Sequence, residues 1–128
     1  MFTQILLWLY LLNTLLLILH EMDSAYWKEW EVFGLKGDIG GFLGMHIPLY
    51  GLALYGLVLL AQGALAGVWF ALLFGLGGFI GFGVHAYFLR QGRPEFNTPA
   101  SLGILGIWLV TSLVQEGVVI WQLLRFGS

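Results

Sequence analysis

Residues 66–89 read AGVWFALLFGLGGFIGFGVHAYFL and contain no Asp, Glu, Lys or Arg. A helix of this length rises about 36 Å at ~1.5 Å per residue, which is enough to cross the ~30 Å hydrocarbon core of a bilayer. The apolar residues do not alternate with polar ones, as the strands of a transmembrane barrel would require. The stretch therefore predicts a transmembrane helix, and we expect an all-α membrane protein.

The composition of the whole chain agrees with this stretch. Of the 128 residues, 59% are hydrophobic and only 9% are charged, whereas a soluble domain carries about 25% charged residues. The length allows one integral membrane domain, whose first partner is the lipid bilayer. A net charge of -2 argues against nucleic-acid binding. The absence of Cys excludes disulfides and thiolate metal sites.

Four apolar stretches predict a bundle of four transmembrane helices, at about 2–19, 38/47–61, 66–89 and 99–124. The start of the second helix has two alternatives. Asp38 is a typical helix N-cap. A helix that begins near Ile47 would instead place Pro48 in its first turn, where proline is tolerated. If the helix starts at Asp38, Pro48 lies inside it and is expected to bend it.

The segment after the first helix is unlike the spans. Between Glu21 and Phe33, four aromatic residues alternate with acidic residues and one lysine. Aromatic rings among charges are typical of the headgroup layer of a membrane. The pattern predicts an interfacial amphipathic segment after helix 1, or a continuation of that helix that bends at the membrane surface.

The basic residues predict the orientation of the chain. Lys28 and Lys36 lie between the first and second spans, and Arg90 and Arg93 lie between the third and fourth. Only Arg125 lies at the other side. Cytoplasmic loops of membrane proteins are enriched in Lys and Arg. We therefore expect a multi-pass protein of the cell (inner) membrane with both termini outside.

Glycine recurs at helical spacing in the third span. One row of small residues contains positions 63, 67, 71 and 75, and a second contains positions 77 and 81 and continues to His85. Small residues let membrane helices approach closely. The rows predict that the third helix packs on more than one face. Gly77 and Gly81 have a second interpretation, in which they leave space for a flat ligand such as haem or for a lipid chain.

The three histidines suggest a metal site. On the predicted topology His20, His46 and His85 all lie near the same membrane face. Asp23 follows His20 by three residues and shares its helical face, and Glu21 is adjacent to His20. Imidazole and carboxylate groups bind Zn²⁺ well, and manganese or iron also accepts them. We predict that His20, Asp23, His46 and His85 hold a divalent metal and that Asp23 or Glu21 is the catalytic base.

Three further polar residues accompany this set. Asn13 extends the face of His20 inward, and Tyr50 lies one turn after His46. Glu116 is an ionisable residue within the fourth span, and such residues are candidates for function. Haem ligation, for example between His46 and His85, is the less favoured cofactor reading.

The stretch LHEMDSAYW at residues 19–27 resembles the signature of small four-helix HXXEE-type bacterial membrane proteins. In that signature a His at the end of the first span precedes two acids and then aromatic residues. The resemblance implies a four-helix fold and a metal or enzymatic role for His20 and Asp23. Ser24 stands where the second acid would be, so the resemblance assigns no second carboxylate there.

Three functions are consistent with these residues. The first is a metal-dependent hydrolase that acts on a lipid or amphiphile entering from the membrane. The second is a non-catalytic subunit or scaffold, whose glycine-rich faces bind partner helices or a second copy of the chain. The third is a small transporter that uses Glu116 as a proton or cation site.

Overall fold

The computed structural model describes the backbone of residues 2–126 and the side chains of residues 4–125. Five helices follow one another: α1 (Phe2–Tyr26), α2 (Glu29–Val32), α3 (Ile39–Ala61), α4 (Leu65–Arg90) and α5 (Pro99–Phe126). Four of them are long and apolar enough to cross a membrane, and only α2 is not. The predicted all-α, four-transmembrane-helix architecture is therefore confirmed for the described part of the chain.

The first helix is longer than predicted. α1 does not end at Leu19 but continues through His20 to Tyr26. Lys28 then adopts a left-handed backbone conformation with a φ of 51° and begins the single turn of α2. Both readings of the amphipathic segment are partly right, since its first half extends α1 and its second half is a separate short helix.

The structure decides between the two starts of the second transmembrane helix. α3 begins directly after Asp38, whose carboxylate accepts a hydrogen bond from the backbone N–H of Gly41 at 2.8 Å. Pro48 therefore lies inside the helix. An N-cap carboxylate satisfies an amide that has no partner within the helix, which explains why the helix starts at this position.

The four long helices form a bundle in which α1 and α4 are central. α4 packs against α1, α3 and α5, as predicted for the third span, and α1 also contacts all three other long helices. One buried cluster joins α1, α3, α4 and α5 and includes Leu6, Leu60, Val68 and Val119. The Tyr10 hydroxyl donates a hydrogen bond to the Ala53 carbonyl at 2.8 Å and ties α1 to α3.

Several glycines stand where neighbouring helices are in close contact. A Cβ at Gly67 would collide with the backbone of Leu60, and one at Gly78 would collide with the Ser112 side chain. Gly77 differs, because a Cβ there would meet only the Trp108 ring, at an ordinary 3.6 Å.

A group of polar side chains links three helices in the middle of the bundle. We call Asn13, Thr111, Ser112 and Gln115 the central polar network. The Asn13 amide donates to Gln115 Oε1 at 2.7 Å, and the Thr111 hydroxyl donates to Asn13 Oδ1 at 2.6 Å. The Gln115 amide donates to the Ala71 carbonyl at 2.7 Å. These bonds connect α1, α4 and α5.

Candidate metal centre

At one end of the bundle α1 and α4 end while α3 and α5 begin, and we call this the histidine end. A cavity of about 380 Å³ lies there. It is lined by all three histidines and by two carboxylates, namely His20, His46, His85, Glu21 and Glu29. The four elements α1, α2, α3 and α4 thus each contribute a polar side chain to one space.

His20 and His85 face each other across the α1–α4 contact. Their ring centroids are 4.6 Å apart and the rings meet edge to face. Nδ1 of His85 lies 3.0 Å from the Gly81 carbonyl one turn earlier, so that nitrogen carries the proton and donates it. Nε2 of His85 is then left with a lone pair, and it is buried without a hydrogen-bond partner. Nδ1 of His20 is likewise buried and without a partner.

Glu29 completes this group from α2. Its Oε1 lies 3.6 Å from Nε2 of His85, which is too long for a direct hydrogen bond. Burial, together with the nearby charge of Glu21, raises the pKa of Glu29 to about 7. A carboxylate and an imidazole lone pair that face each other repel unless a proton or a cation lies between them.

The three side chains form a group that could hold a metal ion. His20, Glu29 and His85 each offer a ligand atom, and these atoms all lie within 4.8 Å of one another. Two ligands bound to one zinc ion at ~2.1 Å can be at most ~4.2 Å apart, so a small inward movement would bring all three into range. We call these residues the His20–Glu29–His85 trio.

His46 and Glu21 form a separate pair in the same cavity. Nε2 of His46 lies 2.8 Å from Glu21 Oε2, and Nδ1 lies 2.6 Å from the Phe42 carbonyl. Both ring nitrogens therefore face acceptor oxygens. One extra proton must be present, either on His46 or on Glu21, and the pair as a whole carries no net charge in either case.

The other residues predicted from the sequence lie elsewhere. The Asp23 carboxylate accepts a hydrogen bond from the Trp27 indole at 3.1 Å and does not belong to the trio. Asn13 lies in the central polar network rather than at the histidine end. The Tyr50 ring lies beside the His46 ring at a tilt of 51°, with their centroids 5.6 Å apart. Glu116 is buried in α5 against Gly75, and its Oε1 has no hydrogen-bond partner.

Two aromatic rings cover the trio. Phe96, in the loop between α4 and α5, is 2% exposed, and its ring centroid is 4.1 Å from that of His85. Its backbone is left-handed with a φ of 64°, a conformation that costs a non-glycine residue about 1–3 kcal/mol. The Trp108 ring lies 5.2 Å from that of His20. The imidazoles are thus enclosed by aromatic surface.

Sequence reasoning missed Glu29 and Phe96. Glu29 was grouped with the headgroup-layer residues because acids between aromatic rings usually face water. The signal that could have selected it is the scarcity of acids, since the chain has only seven. No sequence signal marks Phe96, because its inward position depends on a left-handed residue in a loop.

A family model described as a family of unknown function, DUF6713, matches residues 6–122. No curated protein and no solved structure matches the chain. The resemblance to HXXEE-type proteins is not confirmed by these comparisons. The matched region covers α3 and α4, most of α1 and α5, and every residue of the trio. The chain therefore belongs to the DUF6713 family, whose function is unknown.

Proposed function

We propose that this multi-pass membrane protein binds one divalent cation through the His20–Glu29–His85 trio and uses it to hydrolyse an amphiphile of the membrane. One observation carries the proposal: buried imidazole nitrogens without hydrogen-bond partners stand beside a partly buried carboxylate. Buried polar atoms normally have partners, and an unsatisfied one costs about 1–3 kcal/mol. A cation bound between the three groups would satisfy all of them.

The ligand chemistry favours zinc among the divalent metals. Two imidazoles and one carboxylate are a common set of protein ligands in catalytic zinc sites, which keep a fourth position for water. Zinc lowers the pKa of such a water to near 7 and makes it a nucleophile. Haem is less favoured, because both ring nitrogens of His46 already have partners.

Glu21 is the better of the two predicted bases. Its side chain lines the cavity together with the trio. Asp23 does not line the cavity, and its carboxylate accepts from the Trp27 indole. We also propose the orientation with the histidine end in the cytoplasm of the cell membrane and the termini outside, because four of the five basic residues lie at that end.

Metal analysis of the purified protein tests the proposal. We expect about one zinc per chain after purification in detergent and dialysis against a trace of zinc. Glu29→Gln and His85→Ala should each weaken zinc binding by at least tenfold, because each removes a ligand.

Asp23→Asn is the matched control. It removes a carboxylate that lies close to the trio in sequence but is bonded to Trp27, and it should leave the zinc content unchanged. A protein without stoichiometric metal, or one whose affinity falls equally with Asp23→Asn and Glu29→Gln, contradicts the proposal. The first of these results would favour the non-catalytic scaffold.

A further inference from the structure

The cavity at the histidine end is lined by both polar and apolar side chains. The trio and the Glu21–His46 pair supply the polar groups. Apolar residues, including Leu49 of α3 and Val84 of α4, line the rest. A ligand that matches both kinds of lining must itself be amphipathic, with a polar head and a hydrocarbon part.

The apolar part of the lining reaches the outer surface of the bundle at α3 and α4. Met45 of α3 and Ile80 of α4 both line the cavity, yet they are 67% and 66% exposed on the surface of the bundle. Side chains that belong to both the wall and the outer surface mark an opening between α3 and α4. At this depth the surroundings of the bundle are lipid, so a ligand can enter sideways from the bilayer.

Gly77 keeps part of the cavity empty. Its position on α4 faces the cavity, and the nearest atom to a Cβ built there is the Trp108 ring at 3.6 Å. A larger side chain at this position would therefore point into free space rather than collide with a helix. At Gly81, one turn later, a Cβ would meet the same ring at 2.6 Å. The two glycines of one row thus differ, and only Gly77 leaves room for a ligand.

The charge of the filled site selects the head group. Two neutral imidazoles, one carboxylate and a divalent cation sum to a charge of about +1. The neighbouring Glu21–His46 pair adds no net charge, by the proton count above. A head group with a single negative charge on oxygen, such as a carboxylate, complements this site.

We propose that the cavity binds a single-chain amphiphile with a monoanionic oxygen head, of which a long-chain fatty carboxylate, the product of hydrolysing a fatty acyl amphiphile, is the simplest example. The head lies at the trio and the chain runs over Gly77 between α3 and α4. A volume of about 380 Å³ is at the lower end of the ~300–1,000 Å³ range of ligand pockets, which suits one chain and not two. The contact of the head with the cation rests on the proposed metal site, whereas the position of the chain does not.

Binding of tritiated palmitate to the zinc-loaded protein in phosphatidylcholine nanodiscs tests this proposal, with empty nanodiscs as the blank. We expect saturable binding of about one palmitate per chain. Gly77→Leu should weaken it at least tenfold, because the new side chain fills the path of the hydrocarbon. Gly83→Leu is the matched control on the same helix, since a Cβ there meets nothing within 4 Å, and it should bind palmitate as the wild type does.

Zinc content separates a failure of this inference from a failure of the metal site. Protein that holds zinc but binds palmitate no better than empty nanodiscs, or equally well with Gly77→Leu and Gly83→Leu, overturns the inference alone. Palmitate binding that depends on Gly77 in protein without zinc supports the chain site and contradicts the metal proposal. Displacement of palmitate by dipalmitoyl phosphatidic acid at equal concentration overturns the single-chain assignment. If Gly77→Leu does not fold, Leu49→Trp fills the same cavity from α3 and is expected to give the same loss.

Discussion

The central polar network and the histidine end both contain buried polar side chains, but they differ in how completely these side chains are hydrogen-bonded. In the network, the Asn13 side chain bonds to both Gln115 and Thr111, and Gln115 also bonds to a backbone carbonyl. At the histidine end, His20 and His85 each keep a buried nitrogen with no partner. A cavity adjoins the second region.

If the proposed function is right, this difference separates a structural role for the network from a binding role for the histidine end. Hydrogen bonds between membrane helices are worth about 1–2 kcal/mol at most and hold the helices in register. A group that completes its own bonds has nothing left to offer a ligand. The unbonded nitrogens at the histidine end, in contrast, are available to a cation, and the substitutions below test this division in order of decreasing effect on the free energy of unfolding.

Gly78→Val should have the largest effect, because it separates the helices that form the network. The new Cβ would collide with the Ser112 side chain and approach the backbone of Trp108. Overpacking of this kind costs about 3 kcal/mol. Unfolding of detergent-solubilised protein, followed by circular dichroism, measures the loss. Gly83→Val on the same helix should change little, and equal losses from both variants would show that α4 and α5 are not in close contact at Gly78.

Zinc should stabilise the wild-type protein nearly as much. Free zinc at about 100 times its dissociation constant adds ~2.7 kcal/mol to the free energy of unfolding if only the folded state binds it. In His85→Ala this zinc-dependent gain should fall close to zero, whatever the stability of the metal-free variant. A gain that is the same in both proteins would mean that zinc binds outside the trio.

Asn13→Leu should destabilise the protein by about 1–2 kcal/mol, because it leaves Gln115 Oε1 without its donor in the bundle interior. The zinc-dependent gain should remain at its wild-type size, since Asn13 does not contact the trio. The same unfolding experiment, run with and without zinc, gives both values. Loss of the zinc effect in this variant would show that the central polar network and the histidine end act together in zinc binding.

Glu116→Gln should have the smallest effect, below about 1 kcal/mol and toward higher stability. The amide keeps the shape of a side chain that lies against Gly75 and removes a group whose charged form is costly within a membrane. Zinc binding should not change. If proteoliposomes show proton-coupled uptake that this substitution abolishes, Glu116 belongs to a transport path. That result would favour the transporter function over the metal-dependent hydrolase.

Much of the fold could be predicted from the residues in order. The uncharged run at 66–89 and its three companions require helices, because lipid provides no hydrogen bonds to an open backbone. The extent of α1 could not be predicted, since a helix that crosses the interface changes its surroundings and not its backbone bonding. The start of α3 could not be predicted either, because the sequence was consistent both with Asp38 as the N-cap and with Pro48 in the first turn. In the structure the Asp38 carboxylate accepts a hydrogen bond from the Gly41 amide, and the helix starts after Asp38.

The candidate site was predictable only in part. The histidines were selected by type and by their distance from the helix ends. The carboxylate predicted to accompany them is Asp23, whereas the carboxylate that lies within 4.8 Å of ligand atoms of His20 and His85 is that of Glu29. Helical spacing places Asp23 near His20, but it does not predict that the Trp27 indole donates a hydrogen bond to the Asp23 carboxylate. Glu29 lies beside His20 and His85 because the chain turns at Lys28, a single residue with a left-handed backbone. A turn at one residue produces no periodic pattern in the sequence.

Local physical chemistry was sufficient to determine that the chain enters a bilayer as four helices, because hydrophobicity and backbone hydrogen bonding act on each segment separately. The tertiary structure decided which polar atoms found partners and which did not. That outcome depends on how helices distant in sequence meet at the level of single atoms. Asn13 forms hydrogen bonds with residues about a hundred positions away. In contrast, one ring nitrogen of His20 and one of His85 are buried without a hydrogen-bond partner.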